Sequence, residues 1–96
     1  MFGLFKKQQS FNSPEEKLKH EIRKKIRNMA LLVFSESPMK GTSMEGIALT
    51  GAISDAKEFY AKRSIAISQD YGVSRENTIS IIENCTKSIY NEFIEN

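Results

Sequence analysis

Glu36-Ser37-Pro38-Met39-Lys40-Gly41-Thr42-Ser43-Met44-Glu45 is the stretch on which the fold of this 96-residue chain turns. Residues 36–41 hold a proline and a glycine and no apolar periodicity, so they form a loop. Thr42 or Ser43 then offers a hydroxyl that can accept from an orphan backbone N–H, and Glu45 stands where a capping box needs its carboxylate. A loop that ends in a helix start implies helices on both sides. The same signature recurs at Ser13-Pro14-Glu15-Glu16 and, without the answering Glu, at Ser74-Arg75-Glu76-Asn77.

Upstream of the loop, Leu18, Ile22, Ile26, Met29 and Val33 recur at spacings of four and three, one face of a helix from Pro14 to Ser35. Lys17, His20, Arg23, Lys24 and Arg27 take the other side. The run Met29-Ala30-Leu31-Leu32-Val33-Phe34 is apolar all the way round, which predicts that this end of the helix is covered on several sides.

Downstream, a second helix runs from Thr42 or Ser43 to Tyr71, and Gly72 closes it in the left-handed conformation. Its apolar face is Leu49, Ala52, Ile53, Ala56, Tyr60, Ile67 and Tyr71. Gly46, Ala48 and Gly51 make its first half thin and predict a kink near Gly51. A third helix follows Ser74, with Ile79, Ile82, Cys85, Thr86, Ile89 and Phe93 on one face and Ile81, Tyr90 and Ile94 widening it. The expectation is an all-α bundle of three helices, or four if the middle one breaks near Gly51, over residues 13–96, preceded by a flexible arm over residues 1–12.

At 1.5 Å per residue the three spans are roughly 33, 43 and 30 Å long, so the middle helix outruns its neighbours. A chain of this size buries little more than about 60% of its unfolded surface, which leaves a small core that gains from association. The reading is a symmetric dimer, with Leu49, Ile53, Ala56 and Tyr60 as candidate dimer contacts.

The composition, 40% hydrophobic and 27% charged, is that of an ordinary globular domain and argues against wholesale disorder. A net charge of +2 is too mild to imply nucleic acid, so the place of the charge matters more than its sum. The single cysteine permits no internal disulfide. Met1-Phe2-Gly3-Leu4-Phe5 is apolar, but Lys6 and Lys7 cut it short of a signal-peptide core, and a cytoplasmic protein is expected.

No pattern of catalytic, metal-ligating or phosphate-cradling residues emerges. His20 sits among Lys17, Arg23 and Lys24 without companion ligands, and reads as solvated surface. Cys85 falls on the apolar stripe and reads as a small core residue. The pairs Glu15 with Glu16 and Glu92 with Glu95 lie at helix ends and not around a cleft. No enzyme activity, cofactor or metal is expected.

Between Lys17 and Arg27 only Glu21 opposes six basic residues. Lys17, Arg23, Lys24 and Arg27 are the candidates for contacts with a partner or with phosphate, against the plainer reading of a solvated face partly neutralised by acids from another helix. Tyr71-Gly72-Val73-Ser74-Arg75 resembles the turn of helix-turn-helix regulators, in which a Gly-Val-Ser-Arg turn is followed after one residue by Thr and an apolar anchor. Here Glu76 and Asn77 both precede Thr78 and Ile79, which turns the anchor by about 100° around the helix. The resemblance implies DNA binding by the helix after Ser74. The arm, with Phe2, Leu4 and Phe5 beside Lys6 and Lys7, carries a third idea, adsorption to an anionic membrane surface. Weighed together, these features favour a small non-catalytic interaction or regulatory protein that binds another protein. A nucleic-acid-binding regulator is the alternative and a membrane adaptor the weaker one.

Overall fold

A computed structural model of the chain describes residues 13–95, with the side chain of Glu95 left out. The expected arm over residues 1–12 therefore lies outside the described residues. Those described form helices α1 (Pro14–Ser35), α2 (Glu45–Ala61), α3 (Ser64–Tyr71) and α4 (Arg75–Tyr90), and α4 continues into a π-helical turn at Asn91–Glu95. No strand occurs among them, and the fold is all-α.

Both outer helix starts follow their capping serines. The Glu16 N–H donates to Ser13 Oγ at 3.2 Å and the Asn77 N–H to Ser74 Oγ at 3.1 Å, each relieving an orphan donor of the first turn. The middle start is displaced. Thr42 spends its hydroxyl on the loop, donating to the Met39 carbonyl at 2.6 Å and accepting from the Met44 N–H at 3.1 Å. The Glu45 carboxylate reaches back to the Gly41 N–H at 2.8 Å, so the helix begins at Glu45 and not at Thr42 or Ser43.

α2 runs without interruption through Gly51, so the middle span does not break there. The interruption comes at Lys62–Arg63, where the sequence has neither glycine nor proline. Its cause is a side chain entering the hydrogen-bond ladder. The Arg63 N–H bonds the Tyr60 carbonyl at 3.0 Å, one residue short of helical register, while Arg63 Nη1 takes the abandoned Phe59 carbonyl at 2.8 Å. The guanidinium also stacks 3.6 Å over the Phe59 ring. Gly72 then closes α3 at φ 68°, and the Val73 N–H bonds back to the Ser68 carbonyl at 3.0 Å with its side chain buried.

The core is contributed by Leu18, Ile22, Ile26 and Ala30 of α1, Ile53 and Ala56 of α2, and Ile81, Ile82, Cys85 and Ile89 of α4. The α1 residues form an unbroken i, i+4 ridge, which replaces the expected Met29 and Val33 by the smaller Ala30 at the upper end. On α4 the buried stripe includes Thr78, while Ile79 sits at the edge, half-buried. Three buried hydroxyls are served by nearby carbonyls of their own helices or caps: Thr78 donates to the Ser74 carbonyl at 2.9 Å, Thr86 to Ile82 at 2.7 Å and Ser68 to Ile65 at 2.8 Å.

Contacts fix the directions of the helices. Cys85 lies against the Lys19 carbonyl, Ser88 against Arg23 and Glu92 against Arg27, so α4 rises parallel to α1. The Tyr90 hydroxyl reaches the Thr50 carbonyl at 3.3 Å, which places the top of α4 level with the first turns of α2. Above that level α1 and α2 continue as a two-helix hairpin. The break at Lys62 has shortened the middle span, and the surplus length has moved to this hairpin.

Candidate functional site

Two surfaces follow from that arrangement. The first is the tip of the α1–α2 hairpin, built from the last turns of α1, the loop at residues 36–44 and the first turns of α2. Leu32 is 63% exposed and Ile47 62%, and Val33, Met39 and Met44 are exposed with them. The apolar run at the end of α1 is covered only in part: Ala30 is buried and Leu31 and Phe34 are half-buried, whereas Leu32 stands mostly in solvent and Val33 is 38% exposed. The charged residues of the tip, Glu36, Lys40 and Glu45, take part in no ion pair among the described residues. Glu36 follows directly on the C-terminus of α1, whose last turn holds no basic residue, so its charge adds to the negative end of the helix dipole.

Leu49, Ile53, Ala56 and Tyr60, the candidate dimer contacts, are placed differently. Ile53 and Ala56 are fully buried within one copy, and Leu49 and Tyr60 pack against the same core. These side chains are spent on the monomer. The outward apolar side chains of α2 are instead Met44 at its cap, Ile47 and Phe59.

The second surface is the basic side of α1, where residues from Glu16 to Asn28 line a shallow, open depression. The structure divides its four candidates. Arg23 and Arg27, one turn apart, are gripped by Ser88 and Glu92, also one turn apart, from the end of α4. Arg23 Nη2 donates to Glu92 Oε1 at 2.8 Å and its Nε to Ser88 Oγ at 3.1 Å, while Arg27 donates Nε and Nη2 to Glu92 Oε2 at 3.0 and 2.8 Å. The Arg27 guanidinium also lies 4.9 Å from the Phe93 ring centroid. Lys17 and Lys24 are exposed and make no ion pair among the described residues. Hydrogen bonding from Arg27, and then from Arg23, holds the Glu92 carboxyl below the usual carboxylate range. In return, the bond to Glu92 raises Arg27 further above neutrality. The sequence signal for this clamp is the matched i, i+4 spacing of Arg23 with Arg27 and of Ser88 with Glu92.

Of the remaining chemical candidates, Cys85 is buried and burial pushes its thiol pKa up, which is the environment of an inert packing cysteine. His20 is exposed on α1 beside Lys24. The helix after the Gly72 turn directs Thr78, Ile81 and Ile82 into the core. Among the described residues no group of three or more His, Cys, Asp or Glu side chains is placed to hold a metal, and no helix is long and apolar enough to cross a membrane. No protein family matches the chain, and no curated protein or solved structure is similar to it.

Proposed function

We propose that the protein is a small non-catalytic interaction or regulatory protein that binds another protein through its helical surface and works as a homodimer. The observation that carries this reading is the concentration of exposed apolar side chains at the hairpin tip: Leu32, Val33, Met39, Met44 and Ile47. Scattered surface leucines are ordinary, but a cluster at one projecting end is the usual mark of a contact surface. Nucleic acid has weaker support, because Arg23 and Arg27 already face a carboxylate of the same chain and, among the described residues, only Lys17 and Lys24 of the four candidates make no ion pair. Sedimentation equilibrium tests the reading. The full chain should give twice the 10.9 kDa of one copy, and a monomeric mass at high concentration overturns the homodimer.

A further inference from the structure

Lys17 and Lys24 stand on one line of α1. Seven residues separate them, which sets them about 10.5 Å apart along the helix axis and only about 20° apart around it. Both are exposed, and neither makes an ion pair among the described residues. Glu21, the one acid of α1 between them, accepts from the Tyr71 hydroxyl on the α3 side. Lys24 borders the same open depression as Arg23 and Arg27, so the two lysines and the two clamped arginines form one basic strip in which four cations face the single carboxylate of Glu92. The strip is short. From Lys17 to Arg27 it runs about 15 Å at the helical rise. Glu15 and Glu16 bound it at the N-terminal end, and past Asn28 the same face passes to Leu31 and Ser35.

That length selects the partner. A nucleic-acid duplex carries one phosphate per about 1.7 Å of its axis without interruption, and its charge would overrun the strip onto Glu15 and Glu16. A small anion is not enclosed by so open a depression. The anion that this helix does hold is a carboxylate. Glu92 is offered from α4, which lies alongside α1, and it accepts from guanidiniums one turn apart. We infer that the outward strip of α1 docks a short acidic segment of the partner protein, whose carboxylates face Lys17 and Lys24 much as Glu92 faces Arg23 and Arg27. The inference rests on the reading of a protein that binds another protein, and it uses a surface separate from the hairpin tip.

Fluorescence anisotropy on the full chain at low ionic strength decides it. The probes are a labelled oligoglutamate of about ten residues, long enough to span the strip as a helix, and a labelled DNA duplex of about twelve base pairs. Oligoglutamate should bind the parent more tightly than the duplex does, and should be released as salt screens the contacts. The double variant Lys17→Glu/Lys24→Glu should weaken that binding at least roughly tenfold. Lys57→Glu/Lys87→Glu makes the same change in net charge in the groove between α2 and α4, and should shift binding by less than about twofold. Circular dichroism confirms that both variants keep their helices. No binding of oligoglutamate overturns the inference and makes the strip a solvated face. Equal losses in the two double variants overturn the site, since net charge alone then accounts for binding. Tighter binding of the duplex overturns the acidic segment in favour of nucleic acid. The oligomeric state is read separately: a monomer that holds oligoglutamate through Lys17 and Lys24 keeps the inference while the homodimer falls, and a dimer that ignores oligoglutamate does the reverse.

Discussion

Glu92 and Tyr71 each tie a distant part of the chain to α1, and the two ties respond to opposite ends of the pH scale. Glu92 accepts from Arg23 and Arg27, which lower its pKa in the folded chain relative to the unfolded one. Its contribution is therefore complete above the ordinary carboxylate pKa and is lost as pH falls through the lower folded value. Glu92→Gln should reduce the melting temperature at pH 7 and flatten its decline between about pH 5 and 3. Equal acid profiles for the two proteins would show that the clamp does not couple to folding. Because the groups are partly exposed, the loss should be modest. Tyr71 donates to the Glu21 carboxylate, and burial together with that bond pushes its pKa up to about 12. The neutral phenol is the form the fold prefers, so its contribution is full below pH 10 and disappears as pH rises toward 12. Tyr71→Phe should melt lower than the parent at neutral pH and lose less stability between pH 10 and 12; spectrophotometric titration of the parent should find a tyrosine that ionises late.

At the scale of the element, the two glycines of α2 and the caps of α1 and α4 have opposite expected effects. Gly51 is an exposed residue inside a helix, and a Cβ there meets nothing within 4 Å. Gly51→Ala should stabilise the chain by roughly 0.5–1 kcal/mol, through the lower backbone entropy of alanine in the unfolded state. Ser74→Ala removes the oxygen that receives the Asn77 N–H and should cost about 1 kcal/mol. Urea midpoints of the two variants should move in opposite directions, and a shift of the same sign for both rejects the local account. The ends capped by Ser13 and Ser74, and the glycine stop at Gly72, are legible in sequence because each depends on a hydroxyl or a φ angle within a few residues. The break at Lys62–Arg63 is not legible in that way. It depends on a flexible guanidinium choosing the Phe59 carbonyl and ring over solvent, and nothing in residue type separates this arginine from others on helix surfaces. The displaced start at Glu45 has a similar origin, since Thr42 has two competing uses for one hydroxyl.

At the scale of the molecule, the all-α bundle follows from apolar periodicity, but the place of its surplus does not. Periodicity identifies Ile53 and Ala56 as apolar-face residues without saying whether that face meets the same copy or another; the structure assigns both to the monomer core. It likewise marks residues 29–34 as needing cover, whereas the height at which α4 stops depends on how far α3 carries the chain before Ser74. The resulting projection has a thermodynamic consequence. If the exposed tip is buried between copies, unfolding releases two chains, and mass action makes the folded state more stable as protein concentration rises. A hundredfold increase in concentration should then raise the melting temperature by several degrees, because RT ln 100 is about 2.7 kcal/mol per dimer and a domain of this size moves roughly 4–8 °C per kcal/mol. Sharing that term between two chains, and the incomplete occupancy of a weak dimer, bring the shift toward the lower end of that scale. Leu32→Glu should abolish the concentration dependence while leaving the monomer's own stability within about 0.5 kcal/mol, since Leu32 is mostly in solvent and outside the buried core. Differential scanning calorimetry at two concentrations, on parent and variant, measures both quantities. A melting temperature independent of concentration in the parent means that the projecting hairpin stays in water, and that its apolar residues are held for a different partner.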